Sequence, residues 1–553
     1  MTALATVRDR YADPEIAHFY AQGFWRDETM FDLVARQAET TPDKVFVFDS
    51  TTRITYRELR DQALSLALGL RRNGLHKGDR VAAQLPNWTE FVVLATALSR
   101  IGAVLVPIMP IYRSDEVAYI LRHSGAKAVI TCETLKDFSY LDMFKDLQRE
   151  SPELEQLIVA RGSGKEGATP LEALMASSPS TSEIGTHLGD RVSPDDGFMI
   201  VYTSGTTSRP KGCFHTFNTL RASAEAIAQS LGYTENDVQF GPSPVTHSTG
   251  LLTSCLLPLI RGASSHLMEA WEPADGLRRI KEHGCTVTVT ATAFLQMLMG
   301  AHDPAQHDAS SIRYWVCAGS PIPPAVVHNA EKVLSGGRVL SLYGRSENML
   351  TTMCTGDDDP ERSATSDGSA LAGASVKIVD AEGHEVRHGQ EGDICYKGPS
   401  HMLEYFHDRD QTAALFTPDG YSRSGDLGYM DQDGYVRVTG RLKDIVIRGG
   451  LNISARELEE LLIDHPGVND VAVVGMPDER LGEKVCVYVV PAGDATVTLD
   501  DVVTHLRERK LATPKLPERV EVVDGLPMTA TGKVQKHLLR DDIARKLGAL
   551  QEA

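Results

Sequence analysis

The strongest local signal in the sequence is the stretch Met199-Ile-Val-Tyr-Thr203-Ser-Gly-Thr-Thr-Ser-Arg-Pro-Lys211-Gly212. Its apolar start predicts a buried strand, and we expect a helix after the loop. Between the two, closely spaced hydroxyl and glycine residues offer N–H and O–H groups that can wrap a polyphosphate, and Lys211 adds a positive charge. The order Lys211-Gly212-Cys213 differs from a Walker A loop, which places Ser or Thr after its Gly-Lys pair. The stretch therefore predicts a phosphate-binding loop of another kind; the alternative is a polar surface turn.

Outward from this loop, helix-like and strand-like segments alternate. Apolar spacing predicts helices at 59–71 and 90–101, a turn leading into a strand at 78–85, and strands at 104–108 and 286–290. Such alternation predicts an α/β fold, in which two α/β subdomains carry largely parallel sheets.

The pattern of predicted secondary structure changes after about residue 365. Short strands predicted at 375–379, 393–397 and 435–439 indicate a small β-rich subdomain. Ser454-Ala-Arg-Glu457 has the pattern of a capping box, so a helix is expected to begin at Ala455. We therefore predict a large N-terminal domain at 1–440 and a small α+β domain at 441–553.

Composition narrows the class of protein. The formal net charge of −19 argues against nucleic acid or an anionic membrane as a partner. The eight cysteines form no C-x-x-C pair, which argues against a zinc or redox motif. No apolar run approaches the roughly 20 residues of a membrane span, and the N-terminus becomes charged early. The expectation is a soluble, cytoplasmic protein, either a monomer or a homodimer.

Three short motifs follow the loop in order. They are Tyr343-Gly-Arg-Ser-Glu347, the Gly-flanked Asp426 followed by Gly440-Arg441, and Thr531-Gly-Lys533 near the C-terminus. Taken singly, each is more often ordinary loop or surface. In this order they resemble the acyl-adenylate-forming (AMP-binding) enzymes over nearly the whole chain, and most closely the acid–CoA ligases of short- or medium-chain, alicyclic or aryl acids.

The resemblance implies an ATP site. Tyr343 would stack on the adenine, and Gly344 would belong to the same nucleotide site. Ser346 would donate to a phosphate oxygen, Asp426 would bind the ribose, and Arg441 would donate to a ribose or phosphate oxygen. Glu347 would hold Mg²⁺, which prefers carboxylate and phosphate oxygens. The residues implied to bind the phosphates are Thr203, Ser204, Gly205, Thr206, Thr207 and Lys211.

The resemblance also assigns the chemistry. Lys533 is implied as the catalytic lysine, whose ammonium would stabilise the charge that builds as a carboxylate attacks the α-phosphate. Lys443 is implied as the hinge on which the C-terminal domain swings between adenylation and acyl transfer. Gly449 and Gly450 are implied to line the channel for coenzyme A, since glycines let a narrow thiol arm pass the backbone closely. A surface lysine and a simple turn are the alternatives.

The acid-binding pocket is implied from three segments. His247 would gate or line the carboxylate end, and we group it with Ser346, Glu347 and Lys533 as catalytic candidates. The other implied pocket residues are Gly250, Ala318, Gly319, Arg345, Asn348 and Met349. Arg345 departs from the family pattern, and its guanidinium either recruits a polar or anionic acid or an unusual acceptor, or points outward to solvent.

The leading hypothesis is an acid–CoA ligase that uses ATP and Mg²⁺, with CoA as co-substrate. The second is an adenylating ligase that passes the acid to an amine, a carrier protein or another acceptor. The third is a non-catalytic nucleotide-binding scaffold, against which the complete motif set argues.

Overall fold

The computed structural model describes residues 4–164, 167–176, 180–189, 191–203, 210–320, 322–528 and 534–551. Among the predicted site residues, Ser204, Gly205, Thr206, Thr207 and Lys533 lie outside the described residues. None of the helices in these ranges is both long and apolar enough to cross a membrane.

The strands fall into three groups along the chain. Those of the first 250 residues are β1 (Val45–Phe48), β2 (Arg53–Thr55), β3 (Arg80–Gln84), β4 (Val104–Pro107), β5 (Ala128–Thr131), β6 (Thr134–Leu135), β7 (Phe138–Ser139), β8 (Gln156–Val159), β9 (Thr169–Pro170), β10 (Gly197–Tyr202), β11 (Gly212–Thr216) and β12 (Val238–Gly241). The middle group comprises β13 (Ser264–Leu267), β14 (Val287–Thr290), β15 (Tyr314–Ala318), β16 (Arg338–Tyr343), β17 (Thr352–Met353), β18 (Ser375–Val379), β19 (Gly392–Lys397) and β20 (Glu404–Tyr405). The last group comprises β21 (Ser422–Met430), β22 (Val436–Arg441), β23 (Ile445–Arg448), β24 (Leu451–Ser454), β25 (Val468–Asp478), β26 (Gly482–Pro491) and β27 (Arg519–Val522).

The helices are interleaved with these strands. The α-helices of the first half are α1 (Val7–Arg10), α2 (Asp13–Ala21), α3 (Met30–Thr40), α4 (Tyr56–Arg72), α5 (Thr89–Ile101), α6 (Ser114–Ser124), α7 (Tyr140–Glu150), α8 (Leu171–Leu174), α9 (Thr181–His187), α10 (Phe217–Ser230), α11 (Ser248–Gly250), α12 (Leu257–Arg261) and α13 (Pro273–His283). Those that follow are α14 (Thr292–Ala301), α15 (Pro324–Val333), α16 (Glu361–Thr365), α17 (Arg409–Leu415), α18 (Ala455–Leu462), α19 (Leu499–Glu508) and α20 (Lys536–Gln551). Leu251–Leu256 forms a π-helix, and Leu442–Asp444 and Thr513–Lys515 form 3₁₀ turns.

The described residues divide into two compact units. The first contains the described parts of Met1–Thr203, Pro210–Ser375 and Lys397–Leu415, and the second contains those of Val376–Tyr396 and Phe416–Ala553. The predicted boundary at 440/441 lies inside the second unit, at the end of β22, and it stays a prediction.

Two eight-stranded sheets form the frame of the first unit, among its described residues. The strand orders are β17-β16-β15-β14-β12-β13-β1-β2 and β20-β11-β10-β4-β3-β5-β8-β9. The interior pairs are parallel, apart from β10 and β11, while β2, β17 and β20 pair antiparallel at their edges. The apolar stripes of α3, α4 and α5 pack together in the largest core. The predicted α/β fold is confirmed.

One prediction beside the phosphate loop is wrong. A strand, β11, follows the loop where we expected a helix, because Gly212–Thr216 pairs with β10 on one side and β20 on the other. The helix α10 begins only at Phe217, where the Thr216 hydroxyl accepts from the Thr219 N–H. The loop is therefore the tip of a hairpin and not a strand-to-helix turn.

The second unit contains two smaller sheets in its described part. One has the order β18-β19-β21-β22, and the other runs β24-β23-β26-β25 with β27 paired to β26. Helix α18 begins at Ala455 as expected, but only half of the capping box forms. The Ser454 hydroxyl accepts from the Glu457 N–H, whereas the Glu457 carboxylate pairs with Lys515 at 2.6 Å.

A partly buried ion cluster joins the two sheets of the first unit. Arg161, which follows β8, donates to Glu90 at the start of α5 at 2.6 Å and pairs with Asp49, which follows β1. Its guanidinium also lies 4.4 Å from the ring centroid of Trp88. Asp49 is buried, so its charge depends on this one cation together with nearby N–H and hydroxyl donors.

We expect Arg161→Met to lower the free energy of unfolding by about 3–5 kcal/mol, because it leaves two partly desolvated carboxylates without their cation. Denaturant unfolding at neutral pH measures this. The control is Arg149→Met, which breaks an exposed pair with Asp146 and should cost less than about 1 kcal/mol. Equal effects of the two substitutions would contradict a structural role for the cluster.

Candidate functional site

Four neighbouring parallel strands end at one edge of the first sheet. The strands β12, β14, β15 and β16 pair in parallel register, and the segments at the carboxyl ends of β12, β15 and β16 carry predicted site residues. In open α/β sheets the crevice outside the carboxyl ends of such strands is the usual ligand site. The fold thus gathers the predicted acid-binding and adenine-binding segments at a single edge.

The base of the phosphate loop is closed by two hydrogen bonds. The Thr203 N–H donates to the Lys211 carbonyl at 2.9 Å, and the Lys211 N–H donates to the Thr203 hydroxyl at 3.3 Å. Both predicted residues therefore lie at the first step beyond the β10–β11 pairing. Their roles toward phosphate stay predictions.

Lys211 is oriented by an aromatic ring. Its Nζ lies 4.6 Å from the ring centroid of Tyr405, a distance at which the ring face attracts a cation. Tyr405 is in β20 and stands opposite Cys213 in the neighbouring strand. Sequence reasoning missed Tyr405, since no motif connects it to the loop or to Glu347.

The same tyrosine holds the predicted magnesium ligand. Its hydroxyl donates to Glu347 Oε1 at 2.6 Å, and the Met402 N–H donates to the Glu347 carbonyl at 2.8 Å. Burial and the adjacent carboxylate hold the pKa of the Tyr405 phenol far above its usual range, so the phenol remains a proton donor. Glu347 is thus fixed at both its backbone and its side chain.

The turn from Tyr343 to Met349 is tightly folded. The Thr351 N–H donates to the Tyr343 carbonyl at 2.8 Å, and the Met349 N–H donates to the Arg345 carbonyl at 2.6 Å. A Cβ on Gly344 would lie 2.0 Å from the Met349 carbonyl oxygen, so only glycine fits there. Three consecutive residues of the turn, Arg345, Ser346 and Glu347, are each half-buried.

Asn348 has a supporting position in this turn. Its side chain is fully buried, and its amide donates to the Leu350 carbonyl and to the Thr351 hydroxyl, both at 3.0 Å. Met349 is also buried and has a positive φ of 56°. Their predicted place in the acid pocket stays a prediction, while their role in shaping the turn is direct.

Arg345 acts electrostatically on the cluster around Tyr405. Its positive charge opposes the burial-driven rise in the pKa of the Tyr405 phenol and of the Cys213 thiol. The guanidinium charge is therefore felt on the side of the turn that carries Glu347. Whether it recruits an acid or an acceptor stays a prediction.

A second residue missed from the sequence is His215. Its Nε2 donates to the Ser346 carbonyl at 2.7 Å, which leaves Nδ1 to accept, and Nδ1 lies 3.1 Å from the Thr219 hydroxyl. Complete burial lowers the pKa of His215 to about 4, so the ring is neutral in the folded protein. His215 lies in β11 and connects this strand to the motif that carries Ser346.

The predicted acid-binding segments follow β12 and β15. His247 precedes α11, where its Nδ1 accepts from the Thr249 N–H at 3.3 Å. A Cβ on Gly250 would lie 2.0 Å from the Pro244 carbonyl oxygen, which requires glycine there. Ala318 ends β15, and Gly319 follows with a φ of +81°. The buried π-helix after Gly250 is an irregularity that is frequent at functional sites.

The predicted ribose pair belongs to the second unit. Asp426 and Arg441 face each other across β21 and β22, and the Arg441 Nε donates to Asp426 Oδ1 at 2.9 Å. The buried Asp393 carboxylate accepts from the Gly425 N–H at 2.9 Å and from the Ser424 hydroxyl at 3.2 Å. Asp393, which we did not predict, thereby sets the turn that carries Asp426.

The predicted hinge and channel residues are also in the second unit. Lys443 is in a 3₁₀ turn, and its carbonyl accepts from Arg540 at 2.8 Å. Gly449 and Gly450 join β23 to β24 with φ values of +58° and +84°, as a two-residue hairpin turn of type I′ requires. The structure supplies a conformational reason for both glycines, and their role toward CoA stays a prediction.

Lys533 itself is outside the described residues, but the segments that flank it are tied down. The Gln535 N–H donates to the Pro527 carbonyl at 2.7 Å, and Met528 bridges Val534. Lys536 pairs with Glu459 at 2.7 Å. The two ends of the segment that carries the predicted catalytic lysine therefore lie side by side.

Comparisons with known proteins agree with this arrangement. The family model described as AMP-binding enzyme matches residues 34–406, and the AMP-binding enzyme C-terminal domain matches residues 457–533. A medium-chain fatty-acid–CoA ligase of Escherichia coli (strain K12) is 36% identical over 96% of this chain and 93% of its own.

Two solved structures extend the comparison. An anthranilate CoA ligase in complex with anthranoyl-AMP superimposes with a TM-score of 0.85 at 26% identity, over 95% of this chain and 98% of its own. An amide bond synthetase from Marinactinospora thermotolerans gives a TM-score of 0.81 at 27% identity, over 93% and 99% of the two chains. The names of two of these proteins state a CoA ligase, and the name of the third states an amide bond synthetase.

We expect the stability of the protein to fall between about pH 6.5 and pH 4 through His215. Its folded pKa lies below its ordinary value, so the unfolded chain takes up the proton first, and the stabilisation present above pH 6.5 is lost on acidification. For this group alone the loss at pH 5 is about 2 kcal/mol. Denaturant midpoints at pH 7.5 and pH 5 measure it.

The comparison that isolates this group uses His215→Gln, which keeps a donor for the Ser346 carbonyl. The variant should lose less stability than the wild type over the same pH interval. His388→Gln, at an exposed position, serves as the control and should follow the wild type. A His215→Gln variant with the full wild-type pH dependence would show that this histidine does not titrate as expected.

Proposed function

The chain belongs to the AMP-binding enzyme family, and on that premise we propose that it joins a carboxylic acid to coenzyme A at the expense of ATP. Family membership makes the chain a ligase that forms an adenylate of an acid. The acceptor, the nucleotide and the metal are parts of the proposal.

One observation supports adenylation most directly. The Tyr405 ring and hydroxyl contact, respectively, Lys211 at the base of the phosphate loop and the Glu347 carboxylate. A cation and an oriented anion, both touched by one side chain, are what a magnesium-bound polyphosphate requires of a site. The name of the 36% identical Escherichia coli relative supports CoA as the acceptor.

The residues present fit a magnesium ion. Within the described ranges no group of three or more His, Cys, Asp or Glu side chains forms a ready metal site. A single half-buried carboxylate suits Mg²⁺, which usually completes its coordination with phosphate and water oxygens. Bound there, the ion would neutralise charge on the phosphates of ATP, and Glu347 would hold it.

The proposed reaction has two steps on the substrates. The carboxylate oxygen of the acid attacks the α-phosphorus of ATP and displaces pyrophosphate, while Lys211 binds phosphate oxygens and Lys533 stabilises the charge that develops. The thiolate of CoA then attacks the acyl carbonyl carbon, and AMP leaves with the electron pair of the broken C–O bond. Asp426 and Arg441 are proposed to bind the ribose, and Tyr343 the adenine.

A second candidate is an adenylating ligase with another acceptor. The amide bond synthetase that superimposes at a TM-score of 0.81 favours it. Such an enzyme would transfer the acyl group to an amine and would release AMP without CoA. The two candidates share the first step and separate at the second.

The test measures pyrophosphate and AMP release over a panel of aliphatic, alicyclic and aryl acids, each with and without CoA. We expect acid-dependent pyrophosphate release with sustained AMP formation only when CoA is present. AMP formation that needs an amine and ignores CoA would establish the second candidate. An absence of acid-dependent turnover over the whole panel would contradict adenylation of these acid classes.

We expect Lys533→Met to slow acid-dependent ATP–pyrophosphate exchange by roughly 100- to 1,000-fold, the usual cost of removing one preplaced donor to a developing charge. The matched control is Lys546→Met in the same unit, where the lysine pairs with Glu521 at 2.6 Å. The control should retain exchange activity. Wild-type exchange in Lys533→Met would remove Lys533 from the mechanism.

A further inference from the structure

We propose that Tyr405 is a positioning residue that couples the metal-binding carboxylate Glu347 to the phosphate-binding ammonium of Lys211. The proposal rests on the proposed function, since it concerns how that same site binds magnesium and ATP. It adds a residue that neither a motif nor a charge would identify, because a tyrosine at a strand edge is ordinary in sequence.

The backbone around Tyr405 is fixed from several sides. The Leu403 N–H donates to the Phe214 carbonyl and the Phe406 N–H donates to the Gly212 carbonyl, both at 2.7 Å. The Tyr405 N–H donates to the hydroxyl of the buried Thr412 at 2.9 Å. These hydrogen bonds fix the backbone of Tyr405, so they also restrict the positions that its side chain can take.

The hydroxyl of Tyr405 defines the position of one carboxylate oxygen of Glu347. The distance of 2.6 Å between the phenol oxygen and Oε1 is short, as expected for a donor facing a charged acceptor. Tyr405 is 5% exposed, and a phenol keeps its proton at neutral pH. The hydrogen bond therefore limits rotation of the carboxylate without neutralising its charge.

The ring of Tyr405 has a separate effect on Lys211. The ammonium lies over the ring face at 4.6 Å from the centroid, and this attraction needs only the aromatic face. Hydroxyl and ring thus act on different partners, one anionic and one cationic. Substitutions can separate the two contacts.

The test compares Tyr405→Phe with Tyr405→Leu. Phenylalanine removes the hydroxyl and keeps the ring, whereas leucine removes both. ATP binding is measured by calorimetry with and without Mg²⁺, and ATP–pyrophosphate exchange is measured as Mg²⁺ is varied.

For Tyr405→Phe we expect the gain in ATP affinity on adding Mg²⁺ to shrink by about tenfold, the usual worth of a hydrogen bond to a charged group. The affinity for ATP without metal and the KM for the acid should stay near the wild-type values. For Tyr405→Leu we expect a further loss of roughly two- to fivefold in metal-free ATP affinity, because Lys211 loses the ring.

Two controls separate this effect from general damage. Tyr11→Phe removes another buried phenol of the same unit, whose hydroxyl donates to the His401 carbonyl at 3.1 Å. It should leave the Mg²⁺ dependence unchanged. In a Glu347→Gln background, Tyr405→Phe should add no further change to the Mg²⁺ dependence, since the phenol acts through Glu347.

Wild-type Mg²⁺ dependence in a folded Tyr405→Phe variant would overturn the proposal, as would full additivity with Glu347→Gln. Should the Tyr405 variants fail to fold, Glu347→Gln and Glu347→Asp test the metal-binding carboxylate that the proposal requires. Both must weaken the Mg²⁺ effect on ATP affinity, and an unchanged effect would overturn the proposal. Absence of exchange with every acid would contradict only the proposed function, because calorimetry still reports on ATP and Mg²⁺.

Discussion

The parallel register of β12, β14, β15 and β16 is the constraint on which the candidate site of the first unit depends. Parallel strands leave a sheet at the same edge, so segments about 100 residues apart in the chain, such as those after β12 and β16, emerge at one edge. The close backbone approaches at Gly250 and Gly344 fold two of these segments tightly upon themselves. Predicted site residues that are far apart in the sequence are thereby brought to one edge of the sheet.

Much of this architecture could be predicted from the sequence. The alternation of apolar periods predicted the α/β sheets, and Ser454 predicted where α18 begins, because both signals are local. The strand β11 was not predicted, since a five-residue segment is decided by its neighbours β10 and β20, and β20 lies almost 200 residues away in the chain. Strand pairing between segments so far apart produces no periodic pattern of apolar residues in the local sequence.

The candidate site shows the same division. Glu347 and Asp426 could be predicted as site residues because each lies within a short motif, and their roles stay predictions. Their supports Tyr405, His215 and Asp393 were missed, because each acts through a single long-range hydrogen bond. Residues of a short motif can thus be predicted from sequence more readily than the distant residues that orient them.

The hairpin position of the phosphate loop has a consequence for how such a site can diversify. Thr203 and Lys211 are hydrogen-bonded to each other, so this pair holds the two ends of the loop together. Insertions, deletions or exchanges inside these ends change the reach and donors of the loop while the strand register is preserved. The sequence of the loop can therefore be exchanged, in evolution or by design, while β10 and β11 remain paired in the same register.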